Sequence, residues 1–80
     1  MKTTITKQEE MQLVGFMTAA IMYSKMVSQL RDAMCHTLNL DPDERGDADH
    51  VSDFVWGSQI DNPIKLVKQM LKRLEVKVSK

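Results

Sequence analysis

The sequence contains a single cysteine, Cys35, so no disulfide can form within the chain. A domain of only 80 residues buries little more apolar surface than it needs to offset the entropy lost on folding. Small domains commonly gain the missing stability from disulfides or from oligomerisation. Because this chain cannot form an internal disulfide, oligomerisation is the remaining one of these two routes. The lone cysteine also gives no indication of an oxidising compartment.

Long apolar runs are absent as well. The most apolar window, residues 11–23, contains Gln12 and Gly15 and is shorter than the roughly 20 residues that a helix needs to cross a bilayer. The opening segment, MKTTITKQEE, lacks the apolar centre of a signal peptide. These features predict a cytoplasmic protein that does not use a membrane.

Side chains that bind metals or perform catalysis are scarce. Cys35, His36 and His50 are the strongest candidate metal ligands, but the first two are adjacent and would point about 100° apart on a helix. The acidic residues of DPDERGDAD do not have the spacing of a calcium loop. No nucleophile, base and orienting carboxylate can be chosen from their spacing. We therefore predict no metal, no other cofactor and no enzymatic activity.

The dominant pattern in the chain is a helical stripe of apolar residues. Thr6 followed by Glu9 matches a capping box, which marks the start of a helix. Asp41-Pro42 marks its end, because proline restricts the residue before it. Between these points the spacing predicts one uninterrupted helix over about residues 7–39, roughly 48 Å long. The stripe that defines it comprises Leu13, Phe16, Ala20, Tyr23, Val27, Leu30 and Met34.

A helix of this length predicts a partner, because so short a chain cannot cover it alone. Before residue 24 the side of the helix opposite the stripe is also apolar, which indicates burial from two directions. After residue 24 that opposite side is polar. The chain is therefore expected to form an intertwined helical homodimer. The predicted interface comprises Leu13, Phe16, Met17, Ala20, Ile21, Tyr23, Val27 and Leu30.

Two shorter helices complete the predicted fold. Val51, Phe54 and Val55 form the inner face of a helix over about residues 49–57. Asn62-Pro63 begins an amphipathic helix over about residues 63–75. The tail VKVSK alternates between apolar and polar residues but is too short to predict a strand. Residues 1–80 are thus expected to form a single all-α domain.

The net charge of zero conceals a marked separation of charge. Residues 41–61 have a net charge of −6, and residues 62–80 have one of +5. The two regions could neutralise each other within the fold or between subunits, or simply be solvated. Alternatively, each could contact a partner of opposite charge.

The leading functional hypothesis is a non-enzymatic homodimer that occupies a partner protein's surface, as a regulator or an inhibitor. Its predicted contact surface is an acidic patch comprising Asp43, Glu44, Asp47, Asp49, Asp53 and Trp56. The alternative is a nucleic-acid-associated protein that uses the basic face of the last helix. That face comprises Lys65, Lys68, Lys72 and Arg73. Trp56 could instead cap the small core.

The plan of one long helix and two shorter ones resembles that of small intertwined helical dimers, a shape that the helical chorismate mutases also have. The resemblance concerns architecture, which does not by itself give function. Those enzymes need inward-facing cations to bind a dicarboxylate, and the long helix offers only Lys25 and Arg31. A small enzyme working inside the dimer is therefore only a third hypothesis.

Overall fold

Four α-helices pack together in the computed structural model, which describes residues 1–56 and 62–79. The helices are α1, Lys7–Met22; α2, Val27–Thr37; α3, Asp47–Trp56; and α4, Pro63–Arg73. A short 3-10 helix, Ser24–Met26, separates α1 from α2. This mostly helical architecture confirms the predicted helical class.

Two short strands, absent from the prediction, join distant parts of the chain. Strand β1 is Thr4–Ile5 and strand β2 is Lys77–Val78. They pair in parallel, with Thr4 beside Lys77 and Ile5 beside Val78. The pair places the start of α1 close to the end of α4, and these two helices pack against each other.

The first half of the chain differs most from its prediction. Instead of one helix over residues 7–39, α1 ends at Met22, and Tyr23 leaves the helical region with φ −125° and ψ 77°. After the 3-10 turn the chain reverses, and α2 packs against α1. This reversal lets the two apolar stripes cover each other within a single chain, which an extended helix could not do.

The apolar stripes of the helices and of β1 converge on one core. In α1 the buried residues are Leu13, Met17 and Ala20, at spacings of four and three residues. Among the described residues, no polar or charged side chain is buried with them. The rest of the core comprises Ile5, Val27, Met34, Cys35, Leu38, Ala48, Val51, Val55, Leu66, Val67, Met70, Leu71, Leu74 and Val76.

The capping box at the start of α1 is present as predicted. The Thr6 hydroxyl accepts a hydrogen bond from the Glu9 N–H at 3.1 Å, and the Glu9 carboxylate accepts one from the Thr6 N–H at 3.0 Å. The Lys2 ammonium pairs with the same carboxylate. The hydrogen bond from Lys2, followed by that from the Thr6 backbone, lowers the pKa of Glu9.

We expect Thr6→Ala to lower the free energy of unfolding by about 1 kcal/mol, because the Glu9 N–H loses its acceptor. Urea denaturation would measure this, with the exposed Thr3→Ala as the matched control.

The stability that the capping box contributes should also depend on pH. Since folding lowers the pKa of Glu9, its stabilising contribution is present above the ordinary value of 4.5 and lost as the pH falls through the folded value.

The variant Glu9→Gln provides the control for that acid response, because glutamine can still complete the capping box but does not titrate. We expect the stability difference between wild type and Glu9→Gln to shrink between about pH 7 and about pH 3. A difference that does not change with pH would show that the ionised carboxylate contributes nothing to the folded state.

The ends of α3 and α4 depart slightly from the prediction. Helix α3 begins two residues early, after Gly46, whose φ of 97° favours glycine. The predicted end of that helix at residue 57, and the connector over residues 57–61, lie outside the described residues.

Helix α4 begins at Asn62-Pro63 as predicted, and the Asn62 side chain accepts a hydrogen bond from the Lys65 N–H at 3.1 Å. It ends at Arg73, and the left-handed Glu75, with φ 58°, turns the chain into β2.

No helix within residues 1–56 or 62–79 is both long enough and apolar enough to cross a membrane.

Candidate interaction surfaces

Every residue of the predicted acidic patch is exposed. On α3, Asp49, Asp53 and Trp56 follow one another at spacings of four and three residues, so they share one helical face. That face is opposite the residues that α3 buries in the core. Trp56 is 55% exposed and therefore does not cap the core. The patch consists of Asp43, Glu44, Asp47, Asp49, Asp53 and Trp56.

Two acidic side chains in this region hold the backbone. The Asp41 carboxylate accepts a hydrogen bond from the Asp43 N–H at 2.9 Å. The Asp49 carboxylate accepts one from the Gly46 N–H at 3.1 Å, which caps the start of α3. With the other described residues, the side chains of Asp43 and Asp53 form neither a hydrogen bond nor an ion pair. Within the patch, Asp49 thus has a structural role, whereas the side chains of Asp43 and Asp53 have no polar partner among the described residues.

The acidic and basic regions do not neutralise each other in the described part of the chain. The ion pairs found there are Lys2–Glu9 and Arg31–Asp32. Neither pair connects the acidic patch with α4. The charge separation that the sequence contains is therefore displayed on the surface of the fold.

The predicted basic face of α4 is divided in two. Lys65, Lys68 and Lys72 are exposed and, at spacings of three and four residues, share one face. Arg73 lies about a quarter turn away. Its guanidinium sits over the Phe54 ring, 5.8 Å from the centroid, within the range of a cation–π interaction with α3.

The predicted dimer interface is also divided. Phe16 and Leu30 are half-buried against the core, and Ile21 and Tyr23 are exposed. The remaining four predicted interface residues are core residues of the single chain, so in this fold they are unavailable to a second copy. They are Leu13, Met17, Ala20 and Val27.

Four exposed apolar side chains lie close together in the sequence at the turn between α1 and α2. We call this group the apolar corner: Ile21, Met22, Tyr23 and Met26. The sequence places Met22 on the apolar far side of the first helix and Met26 beside its stripe, and it predicts for both of them packing in the core or the dimer, or an exposed docking groove. The apolar far side ends at residue 24, where the structure has the turn, but the sequence pattern fits a change of burial along one helix equally well.

Candidate metal and nucleophilic groups are dispersed or enclosed. Among the described residues, no three His, Cys, Asp or Glu side chains are placed to hold a metal ion. Cys35 is buried, and its burial raises the pKa of the thiol. His50 is half-buried, and its Nδ1 atom has no hydrogen-bond partner among the described residues.

Comparison of the chain with protein-family models, with curated proteins and with solved structures finds no match.

Proposed function

We propose that this protein is a small non-enzymatic module that binds another protein through the acidic patch. The observation that carries this proposal is the exposure of Trp56 on the same face of α3 as Asp49 and Asp53. Tryptophan is enriched among residues that dominate binding energy, and flanking charges set partner choice and association rate. A module that covers part of its partner in this way acts as a regulator or an inhibitor.

Two physical terms favour binding at this patch. Burying a large apolar side chain contributes about 25 cal/mol per Å² of apolar surface removed from water. Trp56 is exposed in the free chain, so its burial against a partner would contribute this free energy to binding. Exposed ion pairs within a chain add little stability, but unpaired carboxylates attract a basic partner over about 10 Å at moderate salt. The patch is therefore suited to a partner with a basic surface around an apolar pocket.

We also propose that the protein acts as a homodimer, joined at the apolar corner. Four large apolar side chains are exposed there within six consecutive residues, with Lys25 as the only charge among them. A large exposed apolar patch is typical of an interaction site. The corner and the acidic patch are separate sets of residues, so each surface can be tested by substitutions that leave the other intact.

We expect Trp56→Ala to fold normally and to weaken partner binding by about 2 kcal/mol, or roughly thirtyfold in Kd. A photoreactive amino acid placed at position 56 would crosslink the partner in cells, and calorimetry would then give Kd for each variant. Gln12→Ala, an exposed change on α1, is the control. If Trp56→Ala melts early but binds with the wild-type Kd when cooled, Trp56 serves packing and the proposal is wrong.

Nucleic-acid binding is the second candidate, supported by the row of Lys65, Lys68 and Lys72. In the described part of the chain, none of these ammonium groups is paired with a carboxylate. If the row binds phosphates, the logarithm of the binding constant for duplex DNA should fall linearly with the logarithm of salt concentration. Lys68→Glu should weaken that binding and Asp53→Lys should not. Absence of binding at low salt would remove this candidate.

A further inference from the structure

A groove runs beside β2, between this strand and α4. Lys77 and Val78 both line it, although successive residues of a strand point to opposite faces. A groove that is lined by residues from both faces of a strand must run along the edge of that strand. No residue of β1 lines it, so this is the edge that β1 leaves free. We call it the edge groove.

The backbone of β2 presents hydrogen-bonding groups to this groove. The Lys77 N–H donates to the Thr3 carbonyl at 3.0 Å, and the Ser79 N–H donates to the Ile5 carbonyl at 2.8 Å. Because these groups alternate in direction along a strand, the N–H and C=O of Val78 point away from β1. Among residues 1–56 and 62–79, no backbone group pairs with this edge of β2, and such an edge is a template for an additional strand.

The side chains around the edge groove specify what such a strand would carry. The half-buried Val78 supplies apolar surface, and Lys68, Lys72 and Lys77 supply positive charge. No carboxylate of the described residues pairs with these three lysines. Side chains directly opposite each other on neighbouring strands share a face and interact. An acidic residue therefore fits beside Lys77, and an apolar residue fits beside Val78.

The groove also contains carboxylates, which narrows the choice of ligand. Glu10 and Glu75 line it together with the lysines, so the groove carries charges of both signs. A uniform polyanion such as a nucleic-acid backbone would meet repulsion at these two positions. A ligand with acidic groups at intervals can avoid them.

We propose that the edge groove binds an extended segment of a partner protein, in which acidic and apolar residues alternate, as a third strand added to β2. The backbone of the segment pairs with Val78, its acidic side chains lie near Lys77 and its apolar side chains lie beside the side chain of Val78. This surface is separate from the acidic patch, so the two proposals stand or fail independently.

The test uses the full chain and a short fluorescein-labelled peptide that alternates glutamate and valine. We expect saturable binding by anisotropy, with the largest amide chemical-shift changes at Lys77, Val78 and Ser79. A control peptide with the same residues grouped, all glutamates before all valines, should bind about tenfold more weakly, because its side chains cannot match both faces of the strand.

The decisive substitution is Val78→Pro, which removes the N–H that faces the groove. It leaves the N–H groups of Lys77 and Ser79, which donate to β1, in place. We expect Val78→Pro to weaken binding about tenfold, whereas Val78→Ala, which keeps the N–H, should stay within about threefold of wild type. Circular dichroism would establish that both variants fold.

A charge exchange keeps the proposal testable if Val78→Pro does not fold. Lys77→Glu should weaken binding of the glutamate–valine peptide and strengthen binding of a lysine–valine peptide. Equal binding of the alternating and grouped peptides, wild-type affinity in a folded Val78→Pro, or no binding of the alternating peptide at all would overturn the proposal. Duplex DNA that binds wild type and Val78→Pro equally, with shifts at the groove, would mark a polyanion site and overturn it too.

Discussion

Replacing Leu13 with aspartate should leave the chain unfolded, whereas replacing Ile21 with aspartate should leave it folded and abolish its self-association. Leu13 is fully buried in the core, and Ile21 is 38% exposed at the apolar corner. An unpaired carboxylate in the core costs several kcal/mol, comparable with the whole stability of a small domain. At the corner the same carboxylate stays in water until a second copy approaches.

Circular dichroism and sedimentation would separate these outcomes. Met11→Asp is the matched control, because Met11 is an exposed apolar residue of α1 outside the corner. It should change neither folding nor assembly. If Ile21→Asp unfolds the chain, the corner is part of the fold rather than an interface. If the wild type sediments as a compact monomer at micromolar concentration, the homodimer proposal is wrong.

Replacing Ile5 with alanine should lower the free energy of unfolding by about 2–5 kcal/mol. Ile5 is 1% exposed and is the residue through which β1 enters the core. The loss combines the transfer of the removed methyl groups with the cavity that they leave. For a domain of this size each kcal/mol corresponds to about 4–8 °C, so the melting temperature should fall by about 10 °C or more.

Thr4→Ala is the control for Ile5→Ala within the same strand. Thr4 is exposed on the opposite face of β1, and its backbone pairs with β2 in the same ladder. It should change the free energy of unfolding by less than about 0.5 kcal/mol. If both substitutions cost the same in urea denaturation, the buried side chain of Ile5 contributes no more to stability than the exposed side chain of Thr4.

The helix ends that the sequence predicts well are those with explicit chemical signals. Thr6 with Glu9, and Asn62 with Pro63, begin helices in the structure because their side chains satisfy orphan backbone groups locally. The break at Tyr23 has no such signal. Between Gly15 and Pro42 the sequence has neither glycine nor proline, and each residue there is compatible with a helix. Tertiary packing of α1 on α2 decides the break, and a helical period does not reveal it.

The same limit applies to the predicted interface. The spacing correctly indicates that Leu13, Ala20 and Val27 are buried, because periodicity reports which side of a helix avoids water. It does not report whether the covering surface belongs to the same chain.

The two strands could not be predicted from the sequence for another reason. Each has two residues, and the pairing of Thr4 with Lys77 joins positions far apart in the sequence, beyond any local pattern.

The pairing of β1 with β2 also sets an order of events during synthesis. Ile5 is synthesised long before Val78, the residue beside which it lies in the fold. The strand that carries Ile5 into the core therefore has no partner strand until almost all of the residues described here have been translated. A nascent chain that stops before residue 77 contains the residues of all four helices, yet it exposes an unpaired strand and the apolar surface beneath it. Such a chain is more prone to aggregate than either a shorter fragment without a core or the finished fold.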